Sequence, residues 1–343
     1  MVRSILLELG QLGKKNFNTL YFGGGTPSAL SYLNTEMLFS EMSKLIDFSS
    51  LKECTFEVNP EDVTEEYLLL LKKCGVNRLS LGVQSFQAEE LKFMNRNHDV
   101  DHVLKSISLI KEMNFDSYSI DLIYGVPGST QESFQDNLDK IVSLEIPHIS
   151  CYALTIEEKT ALANWIRKGK IAPLDEDMAA QQFDWVSSYL KKMGYHHYEL
   201  SNFAITEHKS LHNSNYWYGD SYFGIGPSAH SYDAKKGKRF WNIAINSTYM
   251  DSVENGAVMK EEEVLSQFDK INEYIMVRLR TSEGLDFSEF KSLFGKSHLE
   301  RLVRNIDDLE LKKVLFERSH NRFKLTLSGW WISDSIISDL FFY

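Results

Sequence analysis

The sequence predicts an α/β protein, in which a partial (β/α) barrel precedes a C-terminal, mostly helical domain of winged-helix-like type. Two observations support this fold class. Strand-like runs alternate with amphipathic helical patterns up to Leu154, and beyond it the pattern changes to aromatic-rich and helical segments. Such alternation is typical of parallel sheets, in which ligand sites lie at the carboxyl ends of the strands. An open, doubly wound sheet is the alternative.

Three parts of the chain are predicted. Residues 1–158 form the barrel, residues 159–259 extend it with a segment rich in histidine and aromatic residues, and residues 260–343 form the helical domain. The chain has 343 residues, of which 43% are hydrophobic, which is enough for a large core. Its formal net charge of -11 argues against a nucleic-acid-binding surface, because such a surface needs clustered lysine and arginine.

Several features favour a soluble protein of the cytoplasm. No apolar run is long enough to span a membrane, and residues 1–18 have the pattern of an amphipathic helix and not of a signal peptide. The cysteines, Cys54, Cys74 and Cys151, lie far apart without a Cys-x-x-Cys pair. This spacing excludes a disulfide framework and is typical of a reducing compartment.

The barrel is predicted from five strand-like runs, at residues 19–22, 54–58, 78–83, 117–124 and 148–154. Apolar residues at helical spacing lie between the runs, for example Val103, Ile107 and Ile110. Ser129 and Glu132 have the spacing of a capping box at the start of a further helix.

The remaining helices are predicted by the same periodicity. One helix covers residues 178–192, and another contains Val264, Phe268 and Leu279. A late strand is expected at residues 323–327 of the winged-helix-like domain. From Leu285 onward nine lysine and arginine residues balance nine acidic residues, so this domain has no net charge to attract phosphates. We expect it to serve packing and partner contacts.

A triple glycine follows the first predicted strand, in the stretch Leu-Tyr-Phe-Gly-Gly-Gly-Thr-Pro at residues 20–27. Glycines leave the backbone N–H groups accessible and allow any φ, and Pro27 fixes the exit of the turn. A ligand can therefore approach this backbone closely. A flexible turn without a ligand is the alternative, because glycine mainly marks turns.

Polar residues stand at the ends of the next strands, where a packed core would not accept them. Glu57, Gln84 and Asp121 end the second, third and fourth runs, and Arg96 follows as a nearby cation. A buried carboxylate needs a cation, a hydrogen-bond donor or a ligand. Any one of these residues alone is more typical of a structural hydrogen bond, but together they suit a zwitterionic, hydroxyl-bearing ligand.

The order and spacing of these motifs resemble the radical S-adenosylmethionine proteins of the coproporphyrinogen-oxidase type, from near residue 1 to the C-terminus. The motifs are Gly-Gly-Gly-Thr-Pro, Glu-Val-Asn-Pro, Gly-Val-Gln-Ser-Phe, Asn-Arg and Ile-Asp-Leu-Ile-Tyr-Gly-Val-Pro. The resemblance implies that the glycine turn holds the methionine part of the cofactor and that the strand ends line the rest of its site. The implied residues are Gly24, Gly25, Thr26, Glu57, Gln84, Arg96, Asp121 and, through its backbone, Ala153.

One part of the family pattern is missing from the sequence. Members of the family bind a [4Fe-4S] cluster through three closely spaced cysteines on an early loop, and no such cysteines precede residue 18. Cys54, Cys74 and Cys151 fall in different barrel segments, and Cys54 is three residues from Glu57 and so on the opposite face of the strand. We therefore expect no cluster ligands in this chain and a truncated first β/α unit.

The segment from His196 to Tyr232 holds five of the ten histidines together with closely spaced aromatic residues. Aromatic faces and a free imidazole suit an iron porphyrin, which needs stacking area and an axial ligand. An aromatic sub-core with exposed histidines is the alternative, because aromatic residues mainly fill cores.

Within this segment, residues 212–217 resemble the HN-x-x-YW signature of the heme-chaperone branch of the family. The heme candidates are His212, Asn213, Tyr216, Trp217 and His230. The resemblance implies a protein that binds heme and delivers it to client hemoproteins such as respiratory cytochromes, including membrane-associated ones. The alternatives are an oxygen-independent coproporphyrinogen III oxidase, which would decarboxylate its substrate oxidatively, and an inactive fragment.

Overall fold

The computed structural model describes residues 1–158, 160–309 and 314–343 around one central seven-stranded sheet. Its strands in chain order are β1 (Thr19–Phe22), β2 (Glu53–Val58), β3 (Arg78–Gln84), β4 (Ser117–Tyr124), β5 (His148–Ala153), β6 (His196–Glu199) and β7 (Asn202–Ala204). The spatial order is β1-β2-β3-β4-β5-β7-β6. Strands β1 to β5 are parallel, and β7 pairs antiparallel with both β5 and β6. The α/β class is confirmed, and each of the five predicted strands is correct to within one residue at either end.

Helices connect and cover these strands. They are α1 (Val2–Leu12), α2 (Tyr32–Met42), α3 (Glu65–Lys73), α4 (Ala88–Phe93), α5 (Val100–Glu112), α6 (Gln131–Ser143), α7 (Ala161–Arg167), α8 (Glu176–Lys192), α9 (Leu211–Tyr218) and α10 (Asn246–Glu254). The predicted capping box at Ser129 and Glu132 is wrong. Thr130 caps α6 instead and accepts a hydrogen bond from the Ser133 N–H at 3.1 Å. The Ser129 hydroxyl already accepts from Gln182 at 3.3 Å, which explains the difference.

The two faces of the parallel strands differ in chemistry. Side chains alternate between the faces of a strand, and the face toward α3, α5 and α6 holds fully buried residues such as Phe56, Leu81 and Ile120. The opposite face holds the polar residues of the same strands, such as Ser80 and Asp121. Parallel sheets that are packed on both faces usually have continuous apolar strands. This sheet therefore has a core on one face and a polar chamber on the other.

A separate antiparallel sheet follows α9. It has the order β10-β9-β8 and consists of β8 (His230–Asp233), β9 (Lys238–Asn242) and β10 (Lys260–Val264). The predicted helix around Val264 therefore begins later than expected, because Val264 ends β10. The helix starts at Gln267, where the Ser266 hydroxyl accepts the Asp269 N–H at 3.2 Å.

The C-terminal domain combines helices with a small antiparallel sheet. Its elements are α11 (Gln267–Leu279), β11 (Leu285–Asp286), α12 (Phe287–Phe294), α13 (Lys296–Asp308), β12 (Phe316–Arg318), β13 (Arg322–Leu325), α14 (Leu327–Trp331) and α15 (Ser333–Asp339). This is the winged-helix-like arrangement that the sequence predicts. The expected strand at residues 323–327 ends at Leu325, because the Thr326 hydroxyl caps α14 by accepting the Gly329 N–H.

A buried carboxylate attaches α1 to the later part of the chain. Glu8 is 2% exposed and accepts hydrogen bonds from the Tyr249 hydroxyl at 2.7 Å, the Asn242 amide at 2.8 Å and the Gly226 N–H at 2.9 Å. Helix α1 is thus tied to β9 and α10 by donors that would otherwise be buried without partners. Within the described ranges, no helix has the length and apolar character to cross a membrane.

Candidate functional site

A cavity of about 280 Å³ lies between the polar face of the sheet and α9. Every parallel strand contributes to its wall, and α9 with the residue before it covers one side. The lining residues are Tyr21, Thr55, Glu57, Arg78, Ser80, Ser119, Asp121, His148, Ser150, Tyr152, Asn202, Ser210, His212, Asn213 and Tyr216. Two of the cofactor-site candidates, Glu57 and Asp121, therefore share one chamber with three of the heme candidates.

Glu57 lies beside the glycine turn at the carboxyl end of β2. The Tyr21 hydroxyl donates to Glu57 Oε1 at 2.6 Å, and the Gly24 N–H also donates to this carboxylate. Burial raises the pKa of Glu57, whereas these two donors oppose the increase. A Cβ atom on Gly23 would lie 2.5 Å from Glu57 Oε1, so only glycine allows this contact. Gly24 has a φ of 83°, in the left-handed region.

Asp121 has the more strongly perturbed carboxyl group of the pair. Burial and the nearby charge of Glu57 raise its pKa from 3.8 to about 7, although hydrogen bonds from Ser150 and Ser80 and the charge of Arg96 act in the opposite direction. Ionisation of both carboxyl groups is unfavourable, because the two negative charges would repel each other in one chamber. A cationic ligand would relieve this repulsion.

The other cofactor-site candidates border the same strand ends. Gln84 ends β3, is buried and has a φ of 68°, which is uncommon for a residue other than glycine. Arg96 is half-buried in the loop after α4. Thr26 precedes the 3-10 helix Pro27–Ala29, a Cβ on Gly25 would meet nothing within 4 Å, and Ala153 pairs with Tyr124 at the end of β5.

Helix α9 is held against the sheet by Glu53, which sequence reasoning missed. Its carboxylate accepts from the Leu211 N–H at 2.8 Å, the His212 N–H at 2.9 Å and the Ser210 hydroxyl at 3.1 Å. Free N–H groups at a helix N-terminus favour an anion, so a charged residue at the start of β2 can be buried. The burial of Glu53 is explained only by this contact with α9, which is distant in sequence.

His212 lies on α9 with both imidazole nitrogens engaged. Nδ1 is 2.9 Å from Thr19 Oγ1 and Nε2 is 3.1 Å from the Tyr216 hydroxyl. Its ring stacks on Tyr21 with a centroid distance of 5.0 Å. Burial lowers the pKa of His212, so the imidazole is neutral near pH 7, which is the form that binds a metal ion.

The remaining heme candidates are separated from this chamber. Trp217 is half-buried on α9 outside the cavity lining, and its buried Nε1 has no hydrogen-bond partner in the described part of the chain. His230 is exposed at the start of β8 and stacks on Trp241 with a centroid distance of 5.7 Å. The structure thus brings His212, Asn213 and Tyr216 together with the strand ends, and leaves Trp217 and His230 outside.

The cysteines do not fit a [4Fe-4S] cluster. Cys54 and Cys151 are buried in the apolar core on the helix-covered face of the sheet, away from the cavity, and burial raises the pKa of Cys54 to about 12. Cys74 follows the last residue of α3 and is half-buried. Cluster binding needs thiolates that converge on one point. Among the residues that the structure describes, no group of three histidine, cysteine or acidic side chains could hold a metal ion.

Sequence reasoning also missed Tyr21, Arg78 and His148 in the cavity wall. The sequence does contain a pattern that indicates two of them, Arg78 and His148. Polar and apolar residues alternate from Arg78 to Leu81 and from His148 to Cys151, which is the pattern of a strand with one polar face.

Comparison with known proteins places the fold of this chain in a family. The model of the Radical SAM superfamily matches residues 2–141, and that of the HemN C-terminal domain matches residues 265–332. The solved structure of coproporphyrinogen III oxidase (HemN) from Escherichia coli covers 100% of this chain and 82% of its own, with a TM-score of 0.84 at 21% identity. The chain thus has the radical SAM fold with a HemN-type C-terminal domain, as predicted.

Proteins with similar sequences show to which family of radical SAM proteins the chain belongs. The heme chaperone HemW of Lactococcus lactis is 33% identical over 98% of this chain and 87% of its own length. The heme chaperone HemW of Bacillus subtilis is 32% identical over 97% of this chain and 88% of its own length. The chain belongs to the HemW family of radical SAM proteins, and the resemblance seen in the sequence is confirmed.

The position of the thiols predicts that this 343-residue chain does not assemble a [4Fe-4S] cluster after anaerobic reconstitution with iron and sulfide. Electron paramagnetic resonance of the reduced protein should show no stoichiometric cluster signal. A stoichiometric signal that disappears in Cys151→Ala would contradict this account of the cysteines.

The raised pKa of Asp121 predicts that the stability of the protein depends on pH. Its pKa is about 7 in the folded protein against 3.8 for the free side chain, so the folded state binds this proton more tightly and the free energy of unfolding falls as pH rises from about 4 to 7. Asp121→Asn should weaken this dependence and stabilise the protein at pH 8 by roughly 1 to 3 kcal/mol.

Urea unfolding at pH 4, 6 and 8 measures this effect. Asp47→Asn is the matched control, because Asp47 is exposed and hydrogen bonds from Ser49 lower its pKa. If Asp121→Asn and the parent lose stability equally between pH 4 and pH 8, Asp121 is not the group responsible.

Proposed function

We propose that this protein binds heme in the chamber beneath α9 and delivers it to client hemoproteins such as respiratory cytochromes, including membrane-associated ones. The most direct support is His212, whose neutral imidazole lies at the cavity beside aromatic rings. The relatives of the chain that are named heme chaperones support the same function. The cytoplasm is the proposed compartment, since Cys54, Cys74 and Cys151 are all free.

The surroundings of His212 suit a tetrapyrrole. Tyr21 stacks on its ring, Tyr216 meets it edge-on at 5.3 Å, and Tyr222 packs against Tyr216 at 4.8 Å. Aromatic rings offer stacking area to a flat ligand. His212 Nε2 would hold the iron in place of its hydrogen bond to the Tyr216 hydroxyl, and Thr19 would orient the ring through Nδ1.

We further propose that the strand ends hold S-adenosylmethionine, the cofactor that the family implies. Its sulfonium cation suits the carboxyl groups of Glu57 and Asp121, which repel each other when both are ionised. The exposed backbone of Gly25 and Thr26 is open to its methionine part, beside Gly24, whose N–H donates to Glu57. Gln84, Arg96 and the Ala153 backbone complete the proposed contacts. Because the cysteines do not fit a cluster, no radical step is assigned to these residues.

Heme binding is the first test of the proposed function. His212→Ala should weaken heme binding by at least about tenfold or shift the Soret band, because an axial ligand and a stacking partner are lost. His298→Ala is the matched control, since His298 lies half-buried on α13 and outside the cavity lining. Spectrophotometric titration with hemin measures both.

Two results would count against this assignment. Identical spectra and affinities of the parent and His212→Ala would remove His212 as the ligand. Turnover of coproporphyrinogen III without heme binding would favour the oxidase alternative.

S-adenosylmethionine should bind weakly to the chain without being cleaved. The remaining hydrogen bonds to a charged ligand contribute about 1.5 to 3 kcal/mol each before ordering costs. Glu57→Ala and Asp121→Ala should abolish the heat of binding in calorimetry, whereas Asp47→Ala should retain it. Formation of 5′-deoxyadenosine with dithionite, or unchanged affinity in both carboxylate variants, would show that the cofactor site lies elsewhere.

A further inference from the structure

The base of the cavity contains a buried cation that the proposed site does not use. Arg78 is 3% exposed at the start of β3 and lines the cavity. Its guanidinium donates to Ser117 Oγ at 2.8 Å and to the His208 carbonyl at 3.2 Å, which are both neutral acceptors. Among the described residues no carboxylate lies within ion-pair distance of it. Glu53 acts on its pKa through its charge, but the Glu53 oxygens accept their hydrogen bonds from Ser210 and the N-terminus of α9. A buried guanidinium without a carboxylate partner is costly, so an anionic ligand would be favoured here.

His148 supplies a second donor at the same end of the cavity. It is 2% exposed, and its Nε2 is 2.8 Å from the Tyr198 hydroxyl. When the Tyr198 hydroxyl donates this hydrogen bond, His148 Nε2 is the acceptor. The neutral imidazole then has its hydrogen on Nδ1, which has no partner in the described part of the chain.

The charges of the cavity are separated along the strands. Arg78 pairs in register with Ser117, and Asp121 lies four residues further along β4, a distance of about 13 Å at the rise of a strand. Glu57 and Asp121 would repel an anion at the carboxyl end of the strands. At the opposite end Arg78 and His148 line the cavity, and the Glu53 carboxylate lies outside the lining, where N–H groups of α9 offset its charge. A ligand with carboxylate groups would therefore orient them toward the base.

We propose that Arg78 and His148 form a carboxylate-binding subsite that receives a propionate group of the bound tetrapyrrole. This inference rests on the proposed heme function and extends it, because it defines which edge of the ligand enters the cavity. The hydroxyl groups of Ser80, Ser119 and Ser150 line the wall between the subsite and Asp121 and suit a polar ligand edge.

The test compares hemin with hemin dimethyl ester, in which both propionates are esterified. The parent should bind hemin about 10- to 100-fold more tightly than the ester, the factor expected for one charge-assisted contact. Arg78→Met should lower the affinity for hemin to that for the ester and leave ester binding unchanged. Arg280→Met is the matched control and should retain the preference, because Arg280 pairs with Asp334 outside the cavity.

A second variant covers the case in which Arg78→Met does not fold, as judged by circular dichroism. His148→Phe should reduce the preference for hemin over the ester in the same direction. If the folded variants and the parent all bind hemin and its ester equally, the subsite is wrong while the heme function stands. If the parent binds neither ligand, the proposed function fails and this inference fails with it.

S-adenosylmethionine is the other carboxylate source and is tested separately. Its affinity should be the same in the parent, Arg78→Met and His148→Phe. Loss of S-adenosylmethionine binding with unchanged hemin binding would assign the subsite to the methionine carboxylate and overturn the tetrapyrrole assignment.

Discussion

The contact between Glu53 and the N-terminus of α9 is the interaction on which the site depends. The carboxylate is 5% exposed and would be unfavourable there without donors. The Ser210 hydroxyl and the N–H groups of Leu211 and His212 supply them. This contact holds the N-terminus of the helix over the sheet and, together with the hydrogen bond between His212 and Thr19, sets the position of His212 relative to the strand ends.

The second constraint is the difference between the two faces of the parallel sheet. The helix-covered face supplies the stability of the barrel through residues such as Phe56 and Leu122, which are completely buried. The other face is free to be polar because a cavity, and not a core, lies against it. The fold can therefore place the carboxyl groups of Glu57 and Asp121 at one end of the cavity and the guanidinium of Arg78 at the other.

The sequence predicts the barrel well because its signals are local. Apolar runs, turn residues and amphipathic stripes are legible in the chain, and the motifs at the strand ends are sufficient to indicate the family. Strand β10 was not predicted, since Lys260 to Val264 are all exposed and pair with β9 through the backbone. Glu53 and Tyr21 were missed because their roles come from contacts with α9 and Glu57, distant in sequence. The roles of the predicted site residues themselves stay predictions.

The most direct test of this account is a crystal structure of the protein grown with hemin, with anomalous scattering measured at the iron absorption edge. The account predicts one iron peak within coordination distance of His212 Nε2, in the cavity between α9 and the sheet. An iron peak beside His230 and Trp241 on the β8–β9 surface, with the cavity unchanged, would contradict it.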